Sequence, residues 1–369
     1  MSQSISSSPR AATHTTVELP TTMGLDLSDR MSHYHVQRGD GRTLATGKVA
    51  SLREALVVLF GQWKGCRLVI EAGGHSPWVS RLGQECGMDV VVANPRRVDL
   101  ISKSDRKTDQ ADAEILAELG RTNIKLLAPI THRTKETQVH RAIQRSRDAA
   151  VRTRTALINH VRGAMKSNGY RPPSASPECF GRRAEESLPP ELAAALKPIL
   201  QLIGQVNTQI RRFDQQVVRL SRECYPVTQL LQQIPGIGPI GSLAFVLTVE
   251  DPKRFQSPRD VGAYVGLVPR KKSSGKSDPQ MHITKAGDQP MRRLLVLSAN
   301  YILGRFGPDC DLRRFGLRIV GTGTDKTAKK RARVAVARKL AVLMHHLWRT
   351  GEVYDPFHLA KKRGEPMPA

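Results

Sequence analysis

Short apolar runs alternate with amphipathic stretches along the first third of the chain. Three segments of alternating hydrophobicity come first, and an Asp40-Gly41 pair between the second and the third favours a β-hairpin. Two later runs, 67–71 and 89–93, are apolar without polar alternation, as expected for strands that are covered on both faces. The pattern predicts strands at 23–27, 34–37 and 43–49, a helix that begins near residue 52, a strand at 67–71, a helix at 77–86, a strand at 89–93 and a helix at 108–120.

This order of elements, a three-strand meander followed by helix, strand, helix, strand and helix, is that of a ribonuclease H-like domain. We therefore predict an α/β domain over residues 23–130. Residues 1–22 are polar and rich in Ser and Thr, so they are predicted to form a disordered leader.

Helical spacing of the apolar positions begins at about residue 131. Long helices are predicted at 134–168 and 191–222, with a Pro-rich linker between them, so residues 131–225 form a helical hairpin or an intersubunit coiled coil. Residues 226–350 are predicted to form a mostly helical domain, and the tail 351–369 is predicted to be extended. The fold class is thus α/β plus all-α.

The charge of the chain points to a polyanionic partner. Among 369 residues, 58 are Lys or Arg and 33 are Asp or Glu, which gives a formal net charge of +25. No apolar run is long enough to cross a membrane, and the N-terminus lacks the apolar core of a signal peptide. The five cysteines are scattered and lack zinc-site spacing, so we interpret them as free thiols in a reducing cytosol.

Four acids occupy positions that suit catalysis. Asp26 and Glu71 lie at the ends of predicted strands, and Asp109 and Asp112 are three residues apart on a predicted helix, so they share a face. Carboxylates that converge on one point repel one another, and Mg²⁺ removes that cost because it prefers hard oxygen ligands. Taken singly, each acid is better explained as structural: Asp26 as a strand-end acid beside Asp29, and Asp109 as a helix N-terminal acid. Taken together, on these elements in this order, they predict a metal site.

Two glycine-containing segments follow in the C-terminal part. The sequence Ile-Pro-Gly236-Ile-Gly238-Pro is typical of the turn in a helix-hairpin-helix, where backbone N–H groups approach a phosphate, and it also fits a plain turn between packed helices. Further on, Ser273 and Ser274 lie in a Gly-containing loop rich in cations. A serine there is either a nucleophile toward a phosphodiester or part of a flexible phosphate-contacting loop.

A helix predicted at 326–349 has one basic and one apolar face, which favours packing on a core while contacting nucleic acid. The alternative is a merely solvated face. Besides Gly236 and Gly238, the candidate nucleic-acid contacts are Arg270, Lys271, Lys272, Lys276, Lys285, Arg292, Arg293, Lys329, Lys330, Arg331 and Arg333.

The motifs in their order resemble those of a known family. They are Gly-Leu-Asp26, Ile-Glu71, Lys-Thr-Asp109-Gln-Ala-Asp112-Ala, Ile-Pro-Gly-Ile-Gly, Tyr-Val-Gly-Leu-Val-Pro, Ser-Ser-Gly-Lys, Ile-Thr-Lys-Ala-Gly and Met-Arg-Arg-Leu-Leu. Together they resemble the DEDD-type insertion-sequence transposases, the insertion-sequence family one-ten with its eleven-eleven subgroup and the related Piv invertases. The resemblance runs from about residue 23 to 355.

This resemblance implies a RuvC-like domain, a coiled-coil stretch and a C-terminal transposase domain in a bacterial cytoplasmic protein. It implies Asp26, Glu71, Asp109 and Asp112 as ligands of Mg²⁺, with Mn²⁺ as a substitute. It also implies a serine that becomes covalently linked to DNA and is activated by metal from the other domain, across a subunit interface. The family pattern places that serine directly before Gly, which favours Ser274 over the adjacent Ser273.

The implied partners are donor and target DNA, an element-encoded noncoding (bridge) RNA that pairs with both and serves as guide, and further copies of the chain in a tetramer built as a dimer of dimers. Two other hypotheses remain open. One is a RuvC-like structure-selective endonuclease that uses water as nucleophile, and the other is a non-catalytic nucleic-acid-binding protein.

Overall fold

A computed structural model describes residues 19–97, 108–270, 281–322 and 325–364. The chain divides into two compact units, one that ends at Arg133 and one that begins at Thr134. Strands occur in the first unit and long helices in the second, so the molecule is of mixed α/β class.

The first unit is built on a five-stranded sheet with the strand order β3-β2-β1-β4-β5. The central strand β1 is antiparallel to β2 and parallel to β4, and β4 is parallel to β5. The predicted sequence of elements is confirmed, with ends that differ by at most three residues. The strands are β1 (Thr22–Asp26), β2 (Met31–Gln37), β3 (Thr43–Ala50), β4 (Arg67–Glu71) and β5 (Asp89–Ala93).

Helices cover both faces of this sheet. Leu68 and Ile70 of β4 join one apolar cluster, and Val69 between them joins another, because successive residues of a strand point to opposite faces. Burial on both sides explains why the runs at 67–71 and 89–93 lack polar alternation. The helices are α1 (Arg53–Gln62), α2 (Ser76–Glu85), α3 (Asp109–Thr122) and α4 (Ile124–Leu127).

The second unit begins with a hairpin of two long helices, α5 (Lys135–Ser167) and α7 (Pro190–Glu223). Arg147 of α5 pairs with Asp214 of α7, and Arg154, seven residues later, pairs with Asn207, seven residues earlier, so the helices are antiparallel. Between them, the predicted linker contains a short helix, α6 (Phe180–Glu186). This helix packs against both long helices in one apolar cluster. The sequence predicted either a helical hairpin or an intersubunit coiled coil for this region. Within the single chain, the two helices form the hairpin.

The rest of the second unit is helical and encloses the largest apolar cluster. The tail was predicted to be extended, and this is wrong for residues 358–363, which form a helix capped by a carboxylate of Asp311. The helices are α8 (Val227–Leu231), α9 (Pro239–Val249), α10 (Asp260–Tyr264), α11 (Gln289–Leu303), α12 (Asp311–Val320), α13 (Lys326–Thr350) and α14 (His358–Arg363). Within the described ranges, no helix has both the length and the apolar character needed to cross a membrane.

Candidate functional site

Two of the four predicted acids lie at the same edge of the sheet. Asp26 ends β1 and Glu71 ends β4, and the residues before them, Leu25 and Ile70, are register partners in the parallel ladder. Because β1 and β4 are parallel, their carboxyl ends meet at one edge. Both acids are half-buried there.

The other two acids reach this edge through helix α3. A Cβ atom on Gly24 of β1 would lie 2.0 Å from the carbonyl oxygen of Ala113, so only glycine allows α3 to approach this closely. At its far end, a Cβ on Gly120 would lie 3.2 Å from the methyl carbon of Thr22, at the start of β1. Helix α3 therefore runs opposite to β1, and its N-terminal turn lies toward the carboxyl end of that strand.

That N-terminal turn holds Asp109, the first residue of α3, and Asp112. The turn is capped by Thr108, whose hydroxyl oxygen accepts a hydrogen bond from the N–H of Ala111 at 3.2 Å. Asp109 is largely exposed, with 64% of its side chain accessible, whereas Asp112 is half-buried. The spacing of three residues puts both carboxylates at the end of the helix nearest Asp26.

His33 joins this group, and it was not predicted from the sequence. It is the cross-strand partner of Asp26 in β2, and its Nδ1 atom lies 3.5 Å from Oδ2 of Asp109. This nitrogen is buried and makes no hydrogen bond within the described part of the chain. The available signal was the register of the β1–β2 hairpin, because the short turn at 27–30 brings the start of β2 opposite the end of β1.

A second histidine borders the same edge. Nε2 of His75, in the loop after β4, lies 3.0 Å from Oδ1 of Asp29, in the loop after β1. The indole N–H of Trp78 donates to Nδ1 of His75 at 3.2 Å, so in the neutral ring Nε2 carries the proton and donates to Asp29. Asp29, the sequence competitor of Asp26, is thus exposed and engaged by a histidine.

The donor set suits a hard divalent cation by its chemistry, because all four predicted ligands are carboxylates. The side chains are not drawn into a closed site: among the described residues, no group of three or more His, Cys, Asp or Glu is arranged to hold a metal ion. The structure therefore brings the acids to one edge through β1, β4 and α3, and it leaves their coordination of a metal untested.

The predicted nucleophiles Ser273 and Ser274 lie outside the described residues, as do Lys271, Lys272 and Lys276. The flanking residues 266–270 and 281–287 form a two-stranded neck, which contains a bridge between Pro269 and Ile283. In it, the N–H of Arg270 donates to the carbonyl of His282 at 2.9 Å. The segments on either side of the serine loop are therefore held together by backbone hydrogen bonds.

Arg292, a predicted nucleic-acid contact, holds the base of this neck. Its Nη1 atom donates to the carbonyl of Val265 at 3.1 Å and to that of Ala286 at 2.8 Å, one on each side of the loop. Its neighbour Arg293 forms an ion pair with Asp148 of α5. Both guanidinium groups are thus engaged by protein atoms, which the sequence alone did not indicate.

Asp288 joins the neck to the long helix α5. Its Oδ1 caps α11 by accepting the N–H of Met291 at 2.9 Å, and its Oδ2 pairs with Arg141 at 2.6 Å and with Arg145 at 3.4 Å. Asp288 and Arg141 are each only 10–12% exposed, so this ion pair is more strongly coupled than a surface pair. Lys285, another predicted contact, lies within the neck at a positive φ of 54°.

The predicted glycine turn connects α8 and α9. Gly236 has a φ of 80°, and a Cβ there would lie 2.9 Å from the ring of Tyr301, so the turn needs glycine at this position. Gly238 is the N-cap of α9, and a Cβ there would meet no atom within 4 Å. The backbone at Gly238 is therefore open to an approaching group.

Helix α13 has the two faces that its sequence predicts. Ala328, Ala332, Val336 and Leu340 are buried against the core of the second unit. The opposite face is basic: Lys329, Lys330 and Arg331 are exposed and Arg333 is half-exposed. The carboxylate of Asp325 caps the first turn by accepting the N–H groups of Thr327 and Ala328, and these bonds lower its pKa.

Both units are similar in sequence to transposases. Residues 23–168 match the family DEDD_Tnp_IS110, described as a transposase, and residues 228–313 match the Transposase IS116/IS110/IS902 family. The chain is 30% identical to the transposase for insertion sequence element IS1328 of Yersinia enterocolitica, over 77% of this chain and 84% of that protein. It is 29% identical to the transposase for insertion sequence element IS1111A of Coxiella burnetii, over 79% of each.

Proposed function

The chain belongs to the IS110 family of insertion-sequence transposases, enzymes that cut and rejoin DNA, and on this premise we propose that it does so with metal-bound carboxylates and a serine nucleophile. The observation that carries the proposal is the meeting of Asp26, Glu71 and the first turn of α3 at one sheet edge. Asp26, Glu71, Asp109 and Asp112 would hold Mg²⁺, or Mn²⁺ in its place.

In the proposed reaction, Oγ of Ser274 attacks a phosphorus atom of the DNA backbone, with Ser273 as the alternative. A P–O bond to the serine forms as the P–O bond to one sugar breaks, and the proton of the serine hydroxyl ends on the released sugar oxygen. Attack by a DNA hydroxyl on the phosphoserine then rejoins the strand and frees the serine. The divalent cation, when bound, supplies Lewis-acid stabilisation of the charge that develops on phosphate oxygens.

We further propose that an element-encoded noncoding RNA guides the choice of donor and target DNA, and that the chain acts as a tetramer, a dimer of dimers. A net charge of +25 and the basic face of α13 support contact with nucleic acid backbones of any sequence. Base pairing by the RNA then selects the donor and target DNA sequences, as in other RNA-guided systems.

Covalent trapping tests the reaction. The chain is co-expressed with its flanking noncoding DNA, purified with any retained RNA, and incubated with Mg²⁺ and end-labelled DNA that spans the element junction. We expect label that migrates with protein on a denaturing gel. The label is lost in Ser274→Ala and Asp26→Asn, on chelation of divalent cations, and after RNase treatment of the complex.

Two matched controls make this assay decisive. Asp29→Asn removes an exposed acid three residues from Asp26 and should retain labelling, and Ser273→Ala should retain it when Ser274 is the nucleophile. Nicked DNA that needs Asp26 and neither serine would contradict the proposal and favour a RuvC-like nuclease that uses water.

A further inference from the structure

A large cavity lies in the second unit. It has a volume of about 710 Å³ and is bounded by α12, α13 and the segment 352–359. This is within the range of roughly 300–1,000 Å³ that is usual for small-molecule sites. None of the four acids is among its described lining residues, so the cavity's role goes beyond the proposed metal site.

The inner wall of the cavity is apolar. It is formed by the side chains of Leu312 and Phe315 from α12 and of Val342, Leu343 and Leu347 from α13. Such a wall suits a planar, weakly polar group, since burying apolar area contributes roughly 25 cal/mol per Å².

Two of the cations that line the cavity are not held in ion pairs with other described residues. In the part of the chain that the structure describes, Arg338 and Lys339 form no ion pair. The ammonium group of Lys339 instead lies 3.9 Å from the ring centroid of Phe315. Its pKa is lowered because burial and the nearby guanidinium groups of Arg363 and Arg318 disfavour the charged form, an effect that Asp311 opposes in part.

Each acid that lines the cavity already has a partner. Oδ1 and Oδ2 of Asp311 accept the N–H groups of Ala360 and Leu359, which fixes the first turn of α14. Glu352 lies 3.2 Å from His346, and Asp355 accepts a bond from the ammonium group of Lys361 at 2.8 Å. The lining itself balances, with Arg259, Arg338 and Lys339 against three acids. Arg318 and Arg363, which act on Lys339, and Lys361, which pairs with Asp355, add a surplus of positive charge that a bound anion would compensate.

An apolar interior beside clustered cations matches a base joined to a phosphate. We propose that this cavity binds one unpaired nucleotide of a single-stranded nucleic acid, with the base against Leu343 and Val342 and the phosphate on Lys339. Double-stranded nucleic acid is disfavoured, because a paired base must leave its stack to enter the cavity, at a cost of a few kcal/mol.

Photo-crosslinking of the full chain tests the proposal. The probe is an octamer RNA that contains a single 4-thiouridine, and cross-linked peptides are identified by mass spectrometry. We expect adducts within residues 338–358. Ala335→Leu, which fills the cavity from its α13 wall, and Lys339→Gln, which removes the ammonium group, should each reduce the adduct about tenfold, as expected for the loss of a base or phosphate contact.

Arg349→Gln is the matched control, because it removes an exposed cation of the same helix that neither lines the cavity nor belongs to the candidate nucleic-acid contacts. It should leave the position and the yield of the adduct within about twofold. A thermal melt of each variant identifies any that is misfolded, and Lys339→Gln keeps the proposal testable if Ala335→Leu is unstable.

A matching DNA octamer with 4-thiothymidine identifies the source of the nucleotide. Adducts with both probes indicate any single strand, and adducts with RNA alone indicate recognition of the 2′-hydroxyl. Adducts only outside residues 338–358, or yields unchanged in both cavity variants, would overturn the proposal. Cross-linking is carried out without divalent cations and without element-junction DNA, so failure of the catalytic proposal and failure of this one are distinguishable.

Discussion

Single glycines decide how closely the acid-bearing helix approaches the sheet. At Gly24, the space for a Cβ is already occupied by backbone atoms of α3, the carbonyl oxygen of Ala113 at 2.0 Å and the nitrogen of Ala117 at 2.5 Å. Backbone atoms of a helix cannot step aside singly as a side chain can, so any larger residue must displace the helix as a whole.

We therefore predict that Gly24→Ala destabilises the first unit by at least about 2 kcal/mol, the cost of overpacking in a rigid contact. It should also abolish covalent complex formation, because Asp109 and Asp112 move with α3. Urea unfolding followed by tryptophan fluorescence measures the first effect, since Trp63 and Trp78 both lie in this unit.

Gly61→Ala is the control for this prediction. Gly61 lies in α1, and a Cβ there would meet no atom within 4 Å, so alanine should stabilise the helix by about 0.5 kcal/mol through lower backbone entropy in the unfolded chain. Equal stability of Gly24→Ala and the parent chain would contradict the close packing of α3 on β1.

At the scale of elements, hydrophobic periodicity predicted the strands and long helices because each buries a regular face. Residues 67–71 and 89–93 are β-strands as predicted, with buried faces on both sides. Helix α14 escaped prediction because it lacks an apolar stripe and depends on a tertiary cap, the carboxylate of Asp311 from α12.

The candidate site was likewise predictable at the level of elements, but its side-chain contacts were not. Strand ends and helix spacing placed Asp26, Glu71, Asp109 and Asp112 on elements that meet, because sequence reports periodicity directly. Contacts between distant side chains carry no such periodicity. The approach of His33 to Asp109 and the bonds of Arg292 to two carbonyls therefore needed the fold.

The neck that carries the serine loop depends on Arg292, which bonds backbone on both sides of the loop. Arg292→Lys keeps the charge but loses the planar fork, and leaving a carbonyl without its donor costs roughly 1–3 kcal/mol. We predict that Arg292→Lys forms about five- to tenfold less covalent complex, while its affinity for DNA is unchanged. Parallel trapping and filter-binding assays measure the two quantities.

Lys329→Gln provides the opposite pattern in those assays, because its exposed ammonium group on α13 has no structural bond among the described residues. It should weaken DNA binding and leave trapping at saturating DNA unchanged. If Arg292→Lys formed covalent complex at the level of the parent chain and Arg292→Gln lost affinity for DNA, Arg292 would instead be a phosphate contact.

At the scale of the whole molecule, charge governs affinity. A net charge of +25 gives a long-range attraction to any nucleic acid, and each phosphate that is neutralised releases a counterion. Affinity must then fall steeply with salt, whereas the choice of site, which we assign to base pairing, should depend on salt much less.

We predict that the affinity of the chain for duplex DNA falls by about 10³–10⁵ between 50 and 200 mM salt if six to ten phosphates are contacted. Lys329→Gln should reduce the slope of log K against log salt by about one unit, because one contact is lost. Lys339→Gln should leave the duplex slope unchanged, since its cavity admits only an unpaired nucleotide. Fluorescence anisotropy titrations at four salt concentrations measure these slopes, and equal slopes for Lys329→Gln and the parent chain would remove α13 from the DNA-binding surface.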